Sequence, residues 1–188
     1  MHANYARFLT FLLCMLTILS AAVYAEPLPR IVLESDAFSD GAKIPALYTC
    51  SGPDDSPPLK WTGLPAGATT LAIVVTDPDA PGGDFVHWLI YDLPASFSRL
   101  PANVPKSPTL EQGAAQGVTS FGRSGYWGPC PPPGPPHRYH FVIYAVDRKL
   151  RLKAGANAIE VERALKGHVL GKGELVGIFG RGGAESEP

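Results

Sequence analysis

Methionine and cysteine are scarce in this chain, with two and three residues, and neither sign of charge dominates: 16 Lys and Arg face 17 Asp and Glu, for a formal −1 at pH 7. Without a basic excess or cluster, a nucleic-acid scaffold is not expected. Low net charge with 45% hydrophobic residues argues against disorder. There is no internal repeat, no C-x-x-C, no H-E-x-x-H and no phosphate-binding P-loop. Gly122-Arg123-Ser124-Gly125 falls one residue short of a nucleophile elbow, and Gly171, Gly173 and Gly177 lack dinucleotide-binding spacing. What is abundant is 20 Gly and 20 Pro with no collagen period, which means many turns between short elements instead of long helices.

The chain has 188 residues, the size of one compact domain. Its start reads as a cleavable signal peptide, residues 1–25. Arg7 precedes an apolar run from Phe8 to Leu19, small residues follow at Ser20-Ala21-Ala22, and Val23-Tyr24-Ala25 ends the segment before Glu26. Cys14 follows Leu13, where a lipoprotein signal would place a small residue. Removal of 25 of the 188 residues leaves one domain, 26–188, with no further membrane span. The expected location is periplasmic or secreted. The domain keeps two cysteines, Cys50 and Cys130, in a compartment that permits either a disulfide or two free thiols.

Strands are expected at Ile31–Glu34, Leu59–Trp61, Thr69–Thr76, Phe85–Leu93, Arg138–Asp147 and Glu174–Phe179, where β-branched and aromatic residues gather between turn signals. In the fifth of these, the period of two puts Tyr139, Phe141 and Ile143 on one face and His140, Val142 and Tyr144 on the other. Asn157 caps a helix from Ala158 to about His168. The stretch from Pro94 to Pro136 shows no periodicity, and Gly180 to Pro188 reads as a fraying tail. The fold class is mostly β, a sandwich or barrel with peripheral helices.

Two segments carry more polar side chains than their surroundings need. One is Asp77-Pro78-Asp79-Ala80-Pro81, followed by His87-Trp88; the other runs from Gly125 through Cys130 and a proline run to His137-Arg138-Tyr139. Each begins or ends a strong strand, so both meet at one end of a sheet as the walls of a small pocket. Asp77 also suits a plain turn, and His87 a satisfied core histidine. Two Asp and two His offer metal-ligand atoms without zinc-type spacing, so no metal and no cofactor is expected.

These segments, DPDAP with HW and GPCPPPGPPHRY, resemble the two signature regions of the phosphatidylethanolamine-binding protein family, also called Raf kinase inhibitor protein-like, in its bacterial exported branch. Tyr48-Thr49-Cys50, Ser56 to Leu59 and Gly173 to Gly177 extend the likeness over residues 31–181. The resemblance implies a Greek-key antiparallel β-sandwich with a few short peripheral helices. It implies a binding protein with no catalysis, holding a small anionic or zwitterionic head group such as phosphate or phosphoryl-ethanolamine. Carried over, the ligand-binding residues are Asp77, Asp79, Pro81, His87, Gly128, Cys130, Pro131, His137 and Tyr139. It further suggests a cis Ala80–Pro81 bond. Where many eukaryotic members have an aromatic after DPDAP, this chain has Gly82-Gly83, which leaves that wall open.

On this reading the histidines, Tyr139 and the backbone N–H near Gly128 donate to phosphate oxygens. Arg138 lies outside, leaving a site without Lys or Arg. The aspartates orient and charge His87 or accept a ligand ammonium, and His140 is left to packing. The alternatives are an inhibitor of a hydrolase or kinase acting through the pocket rim, its protein partner unknown, and a metal-assisted phosphoester hydrolase.

Overall fold

The computed structural model describes residues 27–181, so the proposed signal peptide lies outside the described residues. Eight strands, β1 (Val32–Glu34), β2 (Leu59–Thr62), β3 (Thr70–Asp77), β4 (Phe85–Pro94), β5 (Arg99–Leu100), β6 (Ala115–Gln116), β7 (His137–Val146) and β8 (Val169–Phe179), form two antiparallel sheets. One has the order β1-β2-β5 and the other β6-β4-β3-β7-β8. The most apolar, β-branched segment, TLAIVVTD, is the central strand β3, and six of its eight residues are buried. A strand flanked on both edges and covered on both faces has no use for the usual polar alternation.

The main core lies between the sheets. Leu33, Leu59 and Trp61 from the small sheet meet Ile73, Val75, Trp88, Ile90, Phe141 and Ile143 from the large one. A smaller cluster lies under the helix α1 (Ala158–Leu165), where Val161 and Leu165 cover Ala72, Tyr91 and Val146. Asn157 and Glu160 bond reciprocally as a capping box at its start. The helix ends at Leu165, short of His168, and Ile159 in its first turn is 67% exposed.

β8 is five residues longer than its apolar pattern predicts. Its early glycines read as loop, yet they are what admits the crossing N-terminal segment. A Cβ on Gly173 would stand 2.3 Å from the Ile31 carbonyl oxygen. The crossing segment is stitched on by backbone bonds from Ile31 to Lys172, Lys172 to Pro29, Gly41 to Val176 and Ile44 to Ile178. Among the described residues no helix is long and apolar enough to cross a membrane.

Candidate functional site

Asp77 ends β3, His87 lies near the start of β4, and His137 and Tyr139 begin β7, so four sequence-distant groups gather at one end of the large sheet. All four residues are buried. His137 donates from Nδ1 to Asp77 Oδ2 at 2.7 Å. The other oxygen of Asp77 accepts the Asp79 N–H at 2.9 Å, an Asx turn that fixes the carboxylate. The His87 ring stands edge-on to Tyr139, centroids 5.2 Å apart. Alternation along β7 therefore puts His137 and Tyr139 on one inner face, while His140 on the outer face bonds Glu174 at 2.9 Å.

His87 is held by Trp127. The Trp127 N–H donates to the His87 carbonyl at 3.0 Å, and the His87 Nδ1–H donates to the Trp127 carbonyl at 2.5 Å. A carbonyl only accepts, so Nδ1 carries the proton and a neutral ring leaves Nε2 as a bare acceptor. Burial is the largest influence on this imidazole and lowers its pKa, outweighing the Trp127 bond and the Asp77 charge. This corrects the expectation that Asp79 keeps His87 charged. Asp79 instead forms a bidentate pair with Arg138, at 2.6 and 2.9 Å, and those bonds hold its carboxyl well below the usual range.

Two buried side-chain atoms lack a well-formed hydrogen bond among the described residues, the Tyr139 hydroxyl and His140 Nε2, and the Tyr139 hydroxyl lies close to the Asp77 carboxylate. Burial first, then the Asp77 carboxylate, push the phenol far above its ordinary value, so it stays protonated. Arg181 opposes that push with its positive charge.

The remaining residues singled out in the sequence have other tasks. Gly128 gives its N–H to Asp54 at 2.7 Å, so this amide is not a free donor. A Cβ there would stand 2.4 Å from the Tyr48 carbonyl oxygen, so only glycine permits the approach. Cys130 is bonded to Cys50, with Cα atoms 5.4 Å apart, and the Cys50 N–H donates to the Pro129 carbonyl. Pro131 offers its carbonyl to Arg181 Nε at 2.5 Å. Pro81 lies in an exposed turn closed by Gly83 N–H to Ala80 C=O at 3.0 Å. Among the described residues there is no cis peptide bond, which overturns the cis Ala80–Pro81 expectation. The reason is positional: proline is second in this turn, where trans is preferred, whereas cis-proline turns need it third.

Two groups escaped the sequence reading. Phe121, 41% exposed, packs on Phe85 and on the His87 ring, with centroids 4.8 and 5.6 Å away. It sits alone in a glycine-rich turn, where no period marks it. Arg181 lies in what reads as a tail, yet an isolated parallel bridge joins it to Pro133 and its positive charge acts on the Tyr139 phenol. Beyond the end of β8 no period marks it.

Depressions lie elsewhere, among them one of about 360 Å³ between α1 and the outer face of the large sheet and one of about 470 Å³ along β8 near Arg30 and Asp40. Neither of these includes the residues expected to line the pocket. Among the described residues no three His, Cys, Asp or Glu side chains converge as metal ligands.

The family model described as phosphatidylethanolamine-binding protein matches residues 34–180. A UPF0098 protein of Methanothermobacter thermautotrophicus is 45% identical over 150 residues, 80% of this chain and 99% of that protein. A Mycobacterium tuberculosis protein named as a lipoprotein, LppC, is 41% identical over 82% of this chain and 73% of its own length. Among solved structures, a phosphatidylethanolamine-binding protein homolog of Chlamydia trachomatis superposes with a TM-score of 0.75 at 34% identity, covering 82% of this chain and 99% of that one. E. coli YbcL gives 0.76 at 30% identity, with 81% and 99% covered.

Proposed function

The chain belongs to the phosphatidylethanolamine-binding protein family, and on that premise we propose that it is an exported, non-catalytic binding protein for a small phosphoryl head group. The relative named as a lipoprotein and the signal-like start support export. The observation that carries the ligand reading is the buried Tyr139 hydroxyl without a partner, beside His87 and the His137–Asp77 pair. A buried donor left unmade is unfavourable unless something completes it, and an anionic oxygen does so with a strong bond. Both oxygens of Asp77 are occupied, one by His137 Nδ1 and the other by the Asp79 N–H, so the carboxylate is turned to these donors.

Tyr139→Phe tests this. Removing this hydroxyl, whose only polar neighbour is the Asp77 carboxylate already bonded to His137 and the Asp79 amide, should change stability by less than about 1 kcal/mol. Calorimetric titration with phosphorylethanolamine should nevertheless show affinity reduced about tenfold or more in Tyr139→Phe, the range for a lost charged hydrogen bond. His140→Ala, on the opposite face, should bind as wild type does. Equal binding by wild type and Tyr139→Phe would overturn the assignment.

A further inference from the structure

We infer that Arg181 is the anchoring cation of this site and that, together with the bare Nε2 of His87, it selects a phosphate monoester over a phosphodiester head group. The inference rests on the anion-site reading above and adds the class of phosphate.

The first half follows from the cations around the cluster. Arg138 is committed to Asp79. Lys106 bonds Asp54 at 2.7 Å and lies over the Trp127 ring at 4.1 Å. Arg123 stacks on that ring at 4.9 Å. Arg181 is different. Its Nε is fixed by the Pro131 carbonyl, and a parallel bridge between Pro133 and Arg181 holds its backbone. Its two terminal nitrogens bond no protein group among the described residues, and its positive charge acts on the Tyr139 phenol. A guanidinium held at Nε with its outer fork open is preorganised for two oxygens of one phosphate.

The second half follows from His87. Its Nδ1–H is spent on Trp127, and its Nε2 has no partner among the described residues. The groups facing the ring are Tyr139, Phe85, Phe121 and the Trp127–Gly128 backbone, with the charges of Asp77 and Asp54 nearby. None of these supplies Nε2 with a proton. A ligand oxygen approaching Nε2 must therefore bring one. A phosphate monoester, whose second pKa is about 6, keeps a fraction of its P–OH form near neutral pH and can hold that proton when bound, whereas a diester has no P–OH to offer. The monoester also presents three terminal oxygens, enough for the Arg181 fork, Tyr139 and His87 together. A diester presents two.

The test uses the mature protein with two probes that share the ethanolamine group, phosphorylethanolamine as monoester and glycerophosphorylethanolamine as the diester of a lipid head group. Wild type should bind the monoester about tenfold more tightly or better. Arg181→Gln should lose about tenfold in monoester affinity, with Arg181→Lys between the two, since a point charge replaces the fork. Equal binding of both probes by wild type, or Arg181→Gln behaving as wild type, would overturn the inference while leaving the anion site standing. Wild type binding neither probe would sink the anion site and this inference with it.

Discussion

His137 donates from Nδ1 to Oδ2 of Asp77 across 2.7 Å, although the two lie 60 positions apart in the chain. Two positions on, Asp79 makes an equally short pair with Arg138, but at the surface, where the Arg138 side chain is 58% exposed against 11% for His137. Two aspartates of one turn thus hold opposite ends of the energy scale for ion pairs.

Asp77→Ala strands a buried histidine and is expected to destabilise the fold by about 3 kcal/mol. Asp79→Ala removes an exposed pair and should cost under about 1 kcal/mol, and less in high salt. Urea unfolding midpoints of the two variants check the contrast. A larger loss for Asp79→Ala would reverse the burial argument.

The buried His87 predicts a pH dependence. Its folded pKa lies below the unfolded value near 6.5, so between the two the unfolded chain binds more protons. Its contribution is fully present above about pH 6.5 and is lost as pH falls toward the folded value. Stability should drop from pH 7 to pH 5, and His87→Gln should flatten that slope. An unchanged slope in the variant would assign the drop to other groups.

The Cys50–Cys130 bond closes a loop spanning 80 positions. The chain-entropy model gives such a closure roughly 4 kcal/mol. The unfolded, unreduced segment 26–188, which carries only these two cysteines, should therefore show no free thiol, and reduction should lower its unfolding midpoint strongly. Two titrating thiols would remove the bond from the account.

Gly128→Ala forces a methyl group against the Tyr48 carbonyl and Asp54. Overpacking of this kind costs about 1–3 kcal/mol. It should also displace Trp127 and with it the His87 ring, so phosphate binding should fall together with stability. Normal stability with lost binding would instead mean that Gly128 touches the ligand.

Strands were legible where β-branched residues ran unbroken, as in Thr70–Asp77 and His137–Val146. The two-residue strands Arg99–Leu100 and Ala115–Gln116 were not, because two residues carry no period. Motif order brought Asp77, His87, His137 and Tyr139 into one site. It did not show which acid holds which base, since Asp77 and Asp79 are chemically alike and only the fold separates a buried carboxylate from an exposed one. Gly128 illustrates the same limit. A glycine beside a site reads equally as a donor of its amide or as room for another strand, and only the 2.4 Å approach of Tyr48 decides.

The seam between Pro29–Ile44 and β8 joins almost the first described residues to almost the last. A ribosome releases the first of these long before Ile178 exists, so the large sheet cannot close on a nascent chain. Until the C-terminal strand arrives, the β7 edge has no partner strand, and an open edge is a surface on which other chains aggregate. Once closed, the seam caps the β8 edge, and the opposite edge is the two-residue β6. The finished molecule thus offers little open edge to a neighbour, whereas every shorter length of it does. A chain truncated before Val169 should accordingly be recovered as aggregate and not as a smaller soluble domain.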